Sequence, residues 1–330
     1  MKKVILALAT MAAMVSCVSN EIVGQSDIAK IEIGTCVMSS SRAEANPSIT
    51  SDNLDAFDVW AFMDKNTGRV FEKERVSKNA SGVWSYQNIA YWTAGHTYHF
   101  AALAPVDHAN IQLAMAADPY MVEGGLGTVT FENLDGTDDI IYAERVVATP
   151  ETITSPMPAV NLAFKHLLSK VRFSFKNGLL NKFATLKVTN IKMVVPSKAT
   201  IDLTQDTFAW ALDAAAATTE LDLGNMANGA LVEVNSVASS DYERLTIPAP
   251  ALQEYKVTFT VTLYNGDVEG ESWDLSTTIK DCELLPGKQY NFKATLCADN
   301  LGLQPIEFTA EVDDWVQPET EYDGGVIETH

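Results

Sequence analysis

Tyr255 to Leu263 read YKVTFTVTL, with Tyr255, Val257, Phe259, Val261 and Leu263 on one side of an extended chain and Lys256, Thr258, Thr260 and Thr262 on the other. A period of two, carried by β-branched and aromatic residues, suits a strand with one buried and one wet face. The pattern returns in FDVWAF (57–62), TYHFAALA (97–104), TVTF (128–131), DIIYAE (139–144), TLKVTNIKMVV (185–195), SWDLSTTI (272–279), YNFKATL (290–296) and IEFTAEVDDWV (306–316). Many short strands without long helical periods between them predict an all-β chain of antiparallel β-sandwiches. ANIQLAMAAD (109–118) reads as a short helix and LDAAAATTELD (212–222) as a weaker one. In LLPGKQY (284–290), Pro286 presets φ and Gly287 supplies the positive φ of a turn joining two strands.

At 330 residues the chain has room for two domains, each large enough for its own core. Three prolines in ATPETITSPMPAV (148–160) interrupt the strand pattern near the midpoint. This places an N-terminal sandwich at 28–155, a C-terminal one at 156–316 and a tail at 317–330. Ahead of them stands MKKVILALATMAAMVSC, with Lys2 and Lys3 before an apolar run too short to span a bilayer. Residues 1–16 are expected to be a signal peptide. Cys17, after Val15 and Ser16, fits a bacterial lipobox and is the expected lipidation site, with residues 17–27 as the tether.

Loss of Lys2 and Lys3 with the leader takes the net charge from −20 to −22, which repels phosphate backbones and excludes nucleic acid as a natural partner. Cys36, Cys282 and Cys297 are an odd number, at spacings that suggest neither a disulfide framework nor zinc; packing roles are expected. The five histidines are scattered, and phosphate-loop, dinucleotide and nucleophile-elbow motifs are missing. EGGLG (123–127) reads as a flexible loop, and Asp138, Asp139, Asp313 and Asp314 as strand-end acids with calcium ligation as the alternative. Trp84, Trp92, Trp210 and Trp273 are either packing residues or a sugar-stacking platform. No catalytic residue, cofactor or metal site is expected.

FKHLLSKVRFSF (164–175) starts with helical spacing and ends in alternation. It is expected to put Phe164, Val171, Phe173 and Phe175 in a core, with His166, Lys170 and Arg172 bonding to backbone or solvent at a strand end. A catalytic His166/Lys170 pair is the alternative.

Four stretches, AYWTAGHTYHFAALAP (90–105), FKHLLSKVRFSF, LLPGKQYNFKATL (284–296) and IEFTAEVDDW (306–315), stand in the order and spacing of the fimbrillin family, and the chain resembles that family from the lipobox through Trp315. The resemblance implies two tandem transthyretin-like β-sandwich domains and a pilus or adhesion subunit exported as an outer-membrane lipoprotein. It further implies that an arginine-specific protease removes the first strand and that a neighbouring subunit's strand fills the groove. AKIEIGTCVM (29–38) alternates Ile31, Ile33, Thr35 and Val37 as the removable strand, and Arg42 in SSSRAEANP is the candidate cleavage site. The tail VQPETEYDGGVIETH lacks the sustained alternation of a donor strand. That leaves open a lipid-anchored surface module binding a glycan or host ligand without polymerising; an exported hydrolase fits least.

Overall fold

The computed structural model describes residues 28–37, 48–64, 68–118, 125–205, 207–212, 217–301 and 306–315. The first ten strands are β1 (Ile33–Val37), β2 (Ala56–Met63), β3 (Arg69–Lys78), β4 (Trp84–Ser85), β5 (Tyr98–Ala104), β6 (Ile111–Met115), β7 (Gly127–Glu132), β8 (Ile141–Ala148), β9 (Val160–His166) and β10 (Ser169–Asn177). The next five are β11 (Ala184–Pro196), β12 (Lys198–Asp202), β13 (Trp210–Leu212), β14 (Thr218–Gly224) and β15 (Val237–Ser239). The last five are β16 (Arg244–Thr246), β17 (Ala249–Asn265), β18 (Val268–Leu284), β19 (Lys288–Leu296) and β20 (Thr309–Asp314).

These strands form four sheets. A seven-stranded sheet runs β1-β9-β8-β5-β2-β3-β4, and a four-stranded sheet β13-β12-β7-β6 lies over one of its faces. A second pair follows: β15-β10-β19-β20, with β16 also on β10, against β14-β11-β17-β18. Most neighbours are antiparallel. Two pairs are parallel, β1 with β9 and β10 with β19, which departs from an all-antiparallel expectation. Strand pairing also crosses residue 155, because β9 completes the first sheet and β12 and β13 extend β7.

Alternation decides which residues fill the cores. Phe173 and Phe175 of β10 meet Phe292 of β19 and Phe259 of β17 at centroid separations of 5.3 and 4.8 Å, with Phe308 edge-on to both. A second cluster, under one face of the seven-stranded sheet, gathers Phe57, Phe100, Phe164 and Trp92. The opposite face packs Trp60 and Tyr142 onto Phe131, Ile201 and Trp210 of the covering sheet.

The segment from Phe164 to Phe175 resolves its mixed pattern by belonging to two strands. β9 ends at His166, β10 begins at Ser169, and only Leu167 and Leu168 carry the chain from the first pair of sheets to the second. Phe164 enters the second cluster, Leu167 and Leu168 the third, and Val171, Phe173 and Phe175 the first, all fully buried.

Several local expectations fail for reasons outside the local sequence. ANIQLAMAAD is no helix, since Ile111 to Met115 form edge strand β6 on β7, with Ile111 opposite Phe131. The unpaired backbone of β7 offers hydrogen bonds that outweigh the helix propensity of alanine. In LDAAAATTELD the described residues are likewise strand, Leu212 closing β13 and Thr218 opening β14, while 213–216 lie outside the described residues. EGGLG is anchored from Leu126 onward. Leu126 is fully buried, and a Cβ on Gly127 would lie 2.0 Å from the Ala114 carbonyl oxygen. LLPGKQY is the expected turn, with Gly287 at φ 66°, and it steps between facing sheets, since β18 pairs with β17 whereas β19 pairs with β10 and β20.

Phe173 stands at the centre of the aromatic cluster of the second sheet pair, so Phe173→Ala should cost about 3–5 kcal/mol. Urea denaturation should show this as a lower midpoint; an unchanged midpoint would mean the cluster does not hold the sheets together.

Candidate functional site

Residues 28–37 bond on two sides, to the chain at 90–92 and to strand β9. Toward one side, the Ile31 N–H donates to the Ala90 carbonyl and the Trp92 N–H to the Ala29 carbonyl, both at 2.9 Å, with Lys30 bridged to Tyr91. Toward the other, the Val160 N–H donates to the Glu32 carbonyl at 2.8 Å and β1 runs parallel to β9, from Ile33 opposite Val160 to Val37 opposite Phe164. The segment is therefore the edge strand beside β9 and also forms a seam with the chain beyond β4.

Side chains reinforce the seam. Ala29, Ile31 and Ile33 are buried in the same cluster as Phe57 and Phe164. The Tyr86 hydroxyl donates to the Ile31 carbonyl at 2.6 Å, the Lys30 ammonium lies 4.9 Å above the Tyr86 ring, and burial pushes the Tyr86 phenol up to about 12. Thr35, half-buried, donates its hydroxyl to the Leu162 carbonyl at 3.2 Å. At about 1.5–3 kcal/mol for each fully buried isoleucine, Ile31 and Ile33 together hold the segment by several kcal/mol. Of the alternating positions, Ile31 and Ile33 are buried. Val37 pairs through its backbone, and its side chain lies outside the described residues, as do Cys17, Arg42 and the tail from 317.

A second cluster, where the sheet pairs meet, was not expected. His166, Lys170 and Arg172 do not bond to backbone or solvent as the sequence suggested. His166 Nδ1 lies 2.8 Å from Asp139 Oδ2, which also accepts the Ile49 N–H, and the imidazole stacks on the Trp315 indole at 4.0 Å and 8°. The Lys170 ammonium is 1% exposed, 3.4 Å from Glu243 and 4.9 Å from the Trp315 ring. Arg172 shares Glu243 at 3.6 Å. Burial lowers the Lys170 pKa, and the Glu243 carboxylate opposes that. The only sequence signal for this cluster was the charge density in FKHLLSKVRFSF; its partners come from 27 to 149 residues away, beyond any local pattern. An ammonium, a carboxylate and a stacked imidazole so fully enclosed can hold the two halves together but present no reacting atom to a substrate.

Other candidates disperse. Trp84 and Trp92 pack with the cluster beneath the seven-stranded sheet, Trp210 with the cluster above it, and Trp273 with the second sheet pair, so the four make no common platform. Asp138 meets His108 and Asn110, Asp139 is committed to His166, and Asp314 pairs with Lys288. Among the described residues no group of three or more His, Cys, Asp or Glu is placed to hold a metal ion. Cys282 and Cys297 are free thiols, and burial pushes Cys282 up to about 11.

The profile of the fimbrillin-like family matches residues 41–315. Among solved structures, a fimbrial protein from Bacteroides vulgatus is similar at 16% identity and a TM-score of 0.58, over 86% of this chain and 99% of that one. A protein from Bacteroides ovatus, provisionally described as a cell adhesion protein, is similar at 13% identity and a TM-score of 0.51, over 89% and 99% of the two chains. Another so described, from Parabacteroides distasonis, gives 11% identity and 0.51 over 88% and 100%. At these identities the structures speak for the fold. A search of curated proteins returns no significant match.

Ile31→Ala should loosen the seam by about 2–5 kcal/mol. Hydrogen exchange should then quicken at residues 90–92 and along β9 before it quickens in β17; uniform change would contradict a local seam. Because burial puts the Lys170 pKa below its ordinary 10.5, the unfolded chain binds more protons between those two values, so stability there rises with pH. Lys170→Met lacks this group. The unfolding free energy of the native chain relative to the variant should therefore climb as pH rises toward 10.5, and a flat difference would show an ammonium unperturbed by its surroundings.

Proposed function

The chain belongs to the fimbrillin-like family, and from that premise we propose that it is a surface fimbrial or adhesion subunit assembled by strand exchange. In this reading it is exported as a lipoprotein anchored at the outer membrane through Cys17, and is cut after Arg42 so that residues 28–37 can leave. The observation that carries the reading is the seam. One short segment satisfies backbone groups of β9 and of residues 90–92 at once and buries Ala29, Ile31 and Ile33, so its departure bares the unpaired edge of β9 and an apolar slot beside it. An incoming strand with small or branched apolar residues at alternate positions restores both.

Cleavage alone does not release the segment, because its hydrogen bonds and buried side chains persist after the peptide bond is cut. A neighbouring subunit's strand must therefore displace it, which ties removal to assembly. The tail offers weak alternation as such a strand, with Gly324 and Gly325 in its middle. That feature favours, as the second reading, a tip, an anchor or a surface binding protein that keeps its lipid and does not polymerise.

Mass spectrometry of protein purified from the cell surface should find a new N-terminus at Ala43, with ladders on gels run without boiling. Recovery of lipidated Cys17 as the sole N-terminus would reject processing and leave the second reading.

A further inference from the structure

On the Trp60 face of the seven-stranded sheet, beside β6 of the covering sheet, two adjoining cavities of about 600 and 510 Å³ share Asp58, Lys73 and Asp107 in their walls. Their volumes fall in the range of small-ligand sites, about 300–1,000 Å³. Asp58 is 5% exposed, an unusual place for a carboxylate on a central strand. Its oxygens lie 3.7 Å from both the Lys73 ammonium and the Arg75 guanidinium, longer than direct charge-assisted hydrogen bonds. Burial raises the Asp58 pKa, and the two cations oppose that. Asp107 faces the same two cations from the other side, 3.3 Å from Lys73 and paired with Arg75.

The backbone is bent to make this arrangement. Val59 pairs with Glu74 and Ala61 with Phe71, so Glu72 and Lys73 together oppose Trp60 in a β-bulge. Lys73 sits there at φ 55°, and Asp107 opposite it at φ 49°. Of the eight non-glycine residues with positive φ among those described, six are Asn or Asp, which tolerate it; Lys73 and Ala227 are the others. A lysine held in the left-handed region carries a backbone cost that glycine would not, and its ammonium lies between Asp58 and Asp107. Glu74, accepting the Gln87 and Asn88 N–H groups at 2.9 and 3.0 Å, fixes the loop that forms the far wall of the larger cavity. Trp60, Leu103, Pro105, Ile111 and Leu113 give the smaller one an apolar side.

We propose that these joined cavities bind a neutral saccharide, its vicinal hydroxyls spanning Asp58 and Asp107 on one hand and Lys73 and Arg75 on the other. With Glu72 and Glu74 also in the walls the lining carries excess negative charge and disfavours an anion, whereas hydroxyl groups donate to the carboxylates and accept from Lys73 and Arg75. The apolar side receives the C–H face of a sugar ring. The site is intact with residues 28–37 in place, so it does not depend on strand exchange.

An array of immobilised neutral, sialylated and sulfated oligosaccharides, followed by calorimetric titration with the best-bound neutral one, tests this on the intact chain. Lys73→Gly relieves the backbone and removes the ammonium. It should weaken binding about tenfold or more while the unfolding temperature stays the same or rises, and Asp58→Asn should weaken binding likewise. No binding above background, binding confined to acidic glycans, or equal binding by Lys73→Gly would each overturn the assignment.

Discussion

A β-sheet with free margins leaves a row of N–H and C=O groups without partners, and burying or shielding that row is the condition on which this molecule rests. In the seven-stranded sheet one short segment covers the open side of β9 and also ties down the chain that follows β4. Residues 29–31 bond to 90–92, and residues 32–37 bond to β9. The same segment roofs the cluster of Phe57, Phe100 and Phe164 with Ala29, Ile31 and Ile33. Closure of the backbone and closure of the core are thus a single event, carried by one short segment.

The second constraint is at the crossover. With two residues between β9 and β10, the sheet pairs cannot be independent, and three backbone groups of the crossover are tied. The Leu167 N–H donates to the Ile140 carbonyl at 3.0 Å, and its own carbonyl accepts the Trp210 indole at 2.7 Å. The Leu168 carbonyl accepts the Gly287 N–H at 2.8 Å, and the Gly287 carbonyl accepts the Trp315 N–H at 2.9 Å. Three of the sequence stretches that resemble fimbrillins, around Leu167, Gly287 and Trp315, therefore meet at one point. The buried Lys170, His166 and Asp139 surround that point, where desolvation costs them stability and mutual pairing returns part of it. Removing one partner would strand the others, so the cluster acts to fix how the halves meet more than to strengthen either.

How much was legible beforehand differs by element. YKVTFTVTL announced its own burial pattern, and Tyr255, Val257, Phe259 and Val261 are all buried as the alternation requires. AKIEIGTCVM likewise announced Ile31 and Ile33. By contrast, ANIQLAMAAD looked helical because alanine favours helix locally, and only the open edge of β7 made it a strand. The paired charges of Asp58, Lys73 and Arg75 gave no sequence signal, since a bulge and a left-handed lysine bring them together, and neither is visible in residue types.

By itself, the sequence determined which residues turn inward, because side-chain direction in a strand alternates with position and hydrophobicity selects the face. It also determined the family resemblance, carried by short stretches in a fixed order. Only the tertiary structure decided which strands are neighbours, which run parallel, and which core each stretch enters. Those choices depend on where distant backbone donors and acceptors are left unpaired, and that information belongs to no single segment.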